Sequence, residues 1–191
     1  MSVRIEEVGS LSVGRLNKVL SSFPGGAFKA AHGALKRAGD TAKTRAGQYA
    51  AEEYAINKGA FMGNVRVSTD IRGQGGSVVS MDVRFAGAVL PLLAFNTKYS
   101  RAGALTTQVK RNGGAATLRR AFAARVFGPV AVFERLGAAR FPVEQKFGPS
   151  TAHMMQNEEV VRKMDDTIRE TFEKRIEHEI ARVLNGWGGT K

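Results

Sequence analysis

The sequence predicts an α+β fold: a small antiparallel β-sheet packed by a long N-terminal helix, with a long C-terminal helix closing the chain. Three observations carry that prediction. Residues 27–56 hold no proline and repeat small apolar residues at steps of three and four. Residues 79–85 alternate apolar and polar with a period of two. The last third places apolar residues at every fourth position, between a capping asparagine and an Asn-Gly stop.

The elements follow in order. A short apolar segment, residues 11–23, ends at Pro24-Gly25-Gly26. In the first long helix Ala31, Leu35, Ala38, Ala42, Ala46, Tyr49 and Tyr54 share a face. A face of alanines lets another backbone come close, so this helix is expected to pack tightly on a sheet or a neighbour. Gly33 and Gly39 are expected to weaken or kink it. Lys29, Lys36 and Lys43, seven apart, mark an outward, solvated stripe. Residues 59–149 are β-rich. Val65 and Val67 alternate with Arg66 and Ser68, a turn follows at Gly73-Gln74-Gly75-Gly76, and Val79, Met81, Val83 and Phe85 form the returning strand. Residues 95–118 read as a basic, glycine-broken loop with weak strand character at 105–110, and strand character returns at 120–127 and 130–135. Between 141 and 150, Pro142 and Pro149 each withhold a backbone donor. That run is therefore expected to be a stiff connector anchored by Val143 and Phe147 rather than a central strand.

The final region, 150–191, opens with Ser150 as the cap of a short helical turn through Met154 and Met155. Asn157 then caps the long helix, with Glu158 and Glu159 at its positive end and a stop at Asn185-Gly186. Its stripe is Val160, Met164, Ile168, Phe172, Ile176, Ile180 and Leu184. A strict step of four overshoots each turn by about 40°, so the stripe winds around the helix and one flat partner cannot cover it. Either its own domain wraps the helix, or the stripe is divided; the expected division gives Val160, Met164 and Ile168 to the home fold, and Ile176, Ile180 and Leu184 to a neighbouring subunit.

Composition narrows the function. The chain has 191 residues, 43% hydrophobic and 24% charged, which is a globular balance fitting a single domain. It has no cysteine, so thiol nucleophiles, disulfides and Cys-based metal sites are excluded. His32, His153 and His178 are scattered, with His153 expected to pack beside Met154 and Met155. The acids Asp165, Asp166, Glu170, Glu173 and Glu177 interleave with bases at i,i+4 spacing, which is a solvated face. No phosphate-cradling loop, HExxH or GxSxG pattern occurs. The expectation is no enzyme, no cofactor and no metal. With no long apolar run and no apolar leader at the N-terminus, a cytosol-like compartment and no membrane are expected.

The formal net charge is +12, and the excess sits in the middle: residues 59–150 carry thirteen Lys/Arg against four acids. From residue 83 to residue 133 there is no acid. Lys98, Arg101, Lys110, Arg111, Arg119 and Arg120 are therefore the candidates for meeting DNA or another acidic surface.

Phe122-Ala123-Ala124, Val132-Phe133-Glu134-Arg135 and Arg140-Phe141-Pro142-Val143-Glu144, leading to Gly148-Pro149-Ser150, resemble the bacteriophage minor tail protein Z family. Phe141 stands at a position usually aliphatic in that pattern. About thirty residues carry the specific signal, while the order of elements is consistent over nearly the whole chain. The resemblance implies a structural virion protein that completes the head-proximal end of a phage tail and supports head–tail joining. It implies a homo-oligomeric ring of six around the DNA channel. Its partners would be tail terminator or tail tube proteins, head-connector proteins and genomic DNA, with the host cytoplasm as the place of assembly. Phe141, Pro142, Val143 and Phe147 are then candidates for the subunit interface, together with Ile176, Ile180 and Leu184. The alternative reading is a basic nucleic-acid-binding protein without sequence preference.

Overall fold

The computed structural model describes residues 2–5, 18–20, 22, 25–74, 78–99, 104–125 and 128–186. Most of the 11–23 segment, Gly75, Gly76, Arg101, Val126 and Phe127 lie outside the described residues. The fold is α+β, with long helices in the first and last thirds and small antiparallel sheets between them. By Cα proximity the chain divides into two compact units. Unit 1 takes Met1–Ala46, Val67–Phe85 and Val161–Lys191, and unit 2 takes Gly47–Arg66 and Ala86–Val160. No linker composition in the sequence marks this division.

Unit 1 is built on a three-stranded sheet, order β1-β3-β2, from β1 (Ser2–Ile5), β2 (Arg66–Gln74) and β3 (Val78–Ala86). The expected hairpin is β2–β3. The strand β1 was not expected. It pairs antiparallel with β3, Ser2 opposite Arg84 and Ile5 opposite Met81, and its alternation spans only four residues. Met81, Val83 and Phe85 are buried, as their period of two requires.

The first long helix, α1 (Gly26–Glu53), buries Ala31, Leu35, Ala38, Ala42, Ala46 and Tyr49 as expected, and Ala30, Ala34 and Ala50 besides. Gly39 admits the sheet. A Cβ there would lie 3.1 Å from Met81 Sδ and 3.2 Å from Thr69 Cγ2. Gly33 likewise admits a side chain, since its Cβ would lie 2.9 Å from Glu179 Oε2. Neither glycine interrupts the helix, and both mark close approach. Lys29 and Lys36 are exposed; Lys43 is half-buried and 3.7 Å from Asp40.

The last helix, α4 (Glu158–Leu184), is capped by Asn157, which accepts from Glu159 N at 3.0 Å. It ends where Gly186 takes φ +71°, a conformation that favours glycine. Arg162 and Asp166, and Glu170 and Lys174, pair at i,i+4 on its outer side. Its stripe corrects the sequence reading. Ile176 and Ile180 are buried with Val160, Met164, Ile168 and Phe172; Ile180 is 8% exposed, and only Leu184 faces solvent, at 42%. The winding stripe is covered within the chain itself, and α1 is one of its covering elements. Glu179 beside Gly33 shows α1 lying against these last turns. Ile176 and Ile180 are not a subunit interface.

Unit 2 begins with the last turns of α1 and then α2 (Lys58–Asn64), a helix inside the region expected to be β-rich. Asn57 caps α2 by accepting from Gly59 N at 2.7 Å, and Phe61 anchors it, fully buried. Three small antiparallel sheets follow where a single sheet was expected. They are assembled from β4 (Val89–Pro91), β5 (Asn96–Tyr99), β6 (Leu105–Gln108), β7 (Ala116–Leu118), β8 (Ala121–Ala124), β9 (Ala131–Arg135), β10 (Val143–Gln145) and β11 (Phe147–Ser150). The orders are β5-β6-β7, β10-β9-β8 and β11-β4.

Within the expected basic loop at 95–118, residues 96–99, 105–108 and 116–118 thus form a sheet, with β6 where weak strand character was read. Threonine explains the misreading, being polar in composition yet β-branched. Thr97 stands opposite Thr107, their hydroxyls 3.0 Å apart, and Thr107 is buried. Beneath lies a core of Leu92, Leu105 and Val132, flanked by Val109, Leu118 and Ala121.

The Gly148-Pro149-Ser150 run has a physical reason at each end. A Cβ at Gly148 would enter the ring of Phe95. Ser150 Oγ accepts from His153 N at 3.1 Å and so caps α3 (Thr151–Met154). Met154 and Met155 are buried, whereas His153 is exposed rather than packed. As Pro142 and Pro149 required, β10 is an edge strand and β11 belongs to a two-stranded sheet. Phe147, expected to anchor the run, is half exposed.

Candidate interaction surface

Of the six basic residues picked out in the sequence, the five described ones fall at different places on two sheets. Lys110 and Arg111 sit in the turn after β6, beside the C-terminal end of α1. Arg111 is committed there. Its Nε donates to Ala51 O at 2.6 Å and its backbone N donates to Glu53 O at 2.9 Å. The Gln108 side chain closes the same turn by donating to Arg111 O and Gly113 O. The Arg111 side chain thus clamps one helix carbonyl while remaining exposed. Lys98 is exposed on β5, and Arg119 and Arg120 form the turn that leads from β7 into β8.

The register of β8–β9–β10 brings the second group together. Phe122 pairs with Phe133, and Arg135 pairs with Val143. The start of β8, the end of β9 and the start of β10 therefore meet at one end of the sheet. Arg119 and Arg120 arrive from β8, Arg135 and Leu136 from β9, and Arg140, Phe141 and Pro142 from the approach to β10. Two hydrogen bonds tie this end: Arg120 Nη2 donates to Gly137 O at 3.0 Å, and Leu136 N donates to Pro142 O at 3.3 Å. The guanidinium of Arg135 lies 4.6 Å from the centre of the Phe122 ring, and that of Arg140 lies 5.8 Å from the Phe141 ring.

This end is apolar as well as cationic. Leu136 is 61% exposed and Phe141 is 59% exposed. No carboxylate among the described residues pairs with Arg119 or Arg140. The acids of this sheet are held elsewhere. Glu134 and Glu144 stand directly opposite each other across β9–β10, on the face opposite Arg135 by alternation. Lys146 Nζ bridges them at 2.8 and 2.9 Å. Its hydrogen bonds to Glu134 and then Glu144 push the Lys146 ammonium up to about 12.

A second exposed apolar patch lies on the β4–β11 sheet. Phe147 pairs with Pro91, and Val89 is two residues from Pro91, so all three share a face while Leu90 is buried behind it. Val143 is half-buried. The structure thus joins candidates the sequence had kept apart, Arg119 and Arg120 with Phe141, Pro142 and Val143. Within unit 2, Lys110 and Arg111 lie apart from them, in the turn after β6. Sequence reasoning missed Arg135, Arg140 and Leu136 as members of the surface, although the first two fall within the runs that carry the family resemblance.

In unit 1, cavities of about 320 and 230 Å³ flank His32. The first is lined by Phe28, Gly33, Glu179 and Arg182, the second by Lys36, Asp40, Lys43 and Thr69. Among the described residues no group of three His, Asp or Glu is placed to hold a metal ion, and no helix is long and apolar enough to cross a membrane. Compared with protein-family models, curated proteins and solved structures, the chain matches none.

Proposed function

We propose that this chain is a structural virion subunit that closes into a ring of six at the head-proximal end of a phage tail, supporting the joining of tail to head around the DNA channel. The sequence resemblance motivates this reading. The observation that carries it is the outward apolar face of β4–β11, where Val89 and Phe147 are each about half exposed. Large apolar groups gathered on one outer face mark contact surfaces, and a head-to-tail contact that closes generates a ring. The Val89→Asp/Phe147→Asp double variant remains folded and stays monomeric by native mass, whereas the parent chain assembles. A parent chain that is monomeric under every assembly condition overturns the ring.

A second reading, a nucleic-acid-binding protein without sequence preference, is favoured by one observation. Lys98, Lys110, Arg119 and Arg125 have no carboxylate partner among the described residues. Its signature is a steep salt dependence of DNA affinity, close to one unit of log slope per phosphate contacted.

A further inference from the structure

We infer that the arginine end of the β8–β9–β10 sheet is a docking site for a different protein, one presenting carboxylates around an apolar centre. Four cations converge there, Arg119, Arg120, Arg135 and Arg140, and all are arginine. Arginine offers a planar fork that pairs bidentately with carboxylates and stacks on rings, two properties lysine lacks. Two of the four guanidinium groups already lie over phenylalanine rings, at 4.6 and 5.8 Å, which fixes their position while leaving N–H donors at their edges.

The apolar component selects protein over nucleic acid. Contacts with a phosphate backbone come from cationic and polar groups, and an exposed leucine adds nothing to them. Protein interfaces instead enrich arginine and aromatic residues at their centres and draw most of their affinity from a few such anchors. Leu136 and Phe141 are the most exposed large apolar side chains described, and they lie among these arginines.

Two acid-bearing surfaces among the described residues do not offer the complement in a second copy of this chain. Glu134 and Glu144 are occupied by Lys146. On the outer side of α4, Asp166, Glu170, Glu173 and Glu177 interleave with Arg162, Arg169, Lys174 and Arg175. Neither surface is an acidic face.

The site is independent of the ring, because it is complete within unit 2 of a single chain. The test uses the full chain and three probes: a short peptide alternating glutamate with leucine, polyglutamate, and duplex DNA of random sequence. The peptide binds more tightly than either other probe. Arg119→Ser/Arg140→Ser weakens it about tenfold or more, and Leu136→Ser weakens it comparably without changing the salt slope. Each altered side chain is exposed, and an unchanged denaturation midpoint confirms folding. Tighter binding of DNA, with Leu136→Ser silent, assigns the surface to nucleic acid and overturns the inference. Equal binding of polyglutamate and the peptide, or no peptide binding, also overturns it. Native mass reads the ring separately, so a Leu136→Ser chain that still assembles but loses the peptide keeps the two conclusions apart.

Discussion

Arg111 holds the end of α1 through Ala51: the guanidinium Nε reaches the Ala51 carbonyl oxygen at 2.6 Å, sixty residues away in sequence. The last carbonyls of a helix lack intrahelical donors and carry the negative end of its dipole. A cation that also donates a hydrogen bond suits that place.

Arg111→Ala is therefore expected to lower stability by about 1 kcal/mol, the net scale of an exposed hydrogen bond to a charged group. Lys110→Ala, with its side chain free in the same turn, is expected to change stability by less than about 0.5 kcal/mol. Urea denaturation of the two variants checks the difference. Equal effects would remove the clamp.

Lys146 between Glu134 and Glu144 sets up a pH dependence. Its folded pKa of about 12 lies above the ordinary lysine value of 10.5. The stabilising contribution is fully present below the unfolded value and is lost as pH rises through about 12. Lys146→Met leaves two carboxylates facing each other and is expected to destabilise the chain. Adding Glu144→Gln should restore most of the loss, which a double-mutant comparison in urea measures.

The winding stripe of α4 gives a sharp contrast between two adjacent turns. Ile180→Asp buries an unpaired charge in unit 1 and is expected to cost about 3 kcal/mol or more. Leu184→Asp lies at the exposed end and is expected to change stability by less than about 0.5 kcal/mol. Thermal midpoints of the two variants check it, and similar losses would contradict the burial of Ile180.

Gly148 faces the Phe95 ring with no room for a Cβ. Gly148→Ala is expected to destabilise by about 1–3 kcal/mol, the range for overpacking a closed site. The Gly148→Ala/Phe95→Leu pair should recover part of that loss, whereas a Gly148→Ala chain as stable as the parent would show that the ring moves freely.

The sequence made the helices legible because their signals are long and local. Asn157, Asn185-Gly186 and the alanine repeat fix both long helices to within a few residues. Ser150 was readable for the same reason. The strand β1 was hidden because four alternating residues are weak evidence, and β5 and β7, on either side of the weakly legible β6, were hidden because their pairing rests on threonine and cross-strand contacts. The fate of Ile176 and Ile180 was beyond the reach of periodicity. A stripe states that a face will be covered without naming what covers it. The arginine end was illegible for a related reason: Arg119 and Arg140 are distant in sequence, and only the register of β8 on β9 and of β9 on β10 puts them at one end.

The interleaving of the two units has a consequence for the order in which a nascent chain matures. Every residue of unit 2 has been polymerised once residue 160 is added. Unit 1 still lacks α4 from residue 161 onward. At ribosomal speeds of about 5–20 residues per second, that final helix emerges about 1–5 s later. Unit 2 is thus the first to have its full complement of strands. Until α4 emerges, unit 1 lacks Met164, Ile168, Phe172, Ile176 and Ile180, all buried in the finished chain, and Gly33 of α1 lacks its neighbour Glu179. Chains cut at residue 160 and tethered to the ribosome by a linker long enough to clear the exit tunnel should accordingly protect Val132 and Leu105 from proteolysis while leaving the region around Ala34 accessible. Closure of unit 1 therefore waits on α4, the last element of either unit to be synthesised.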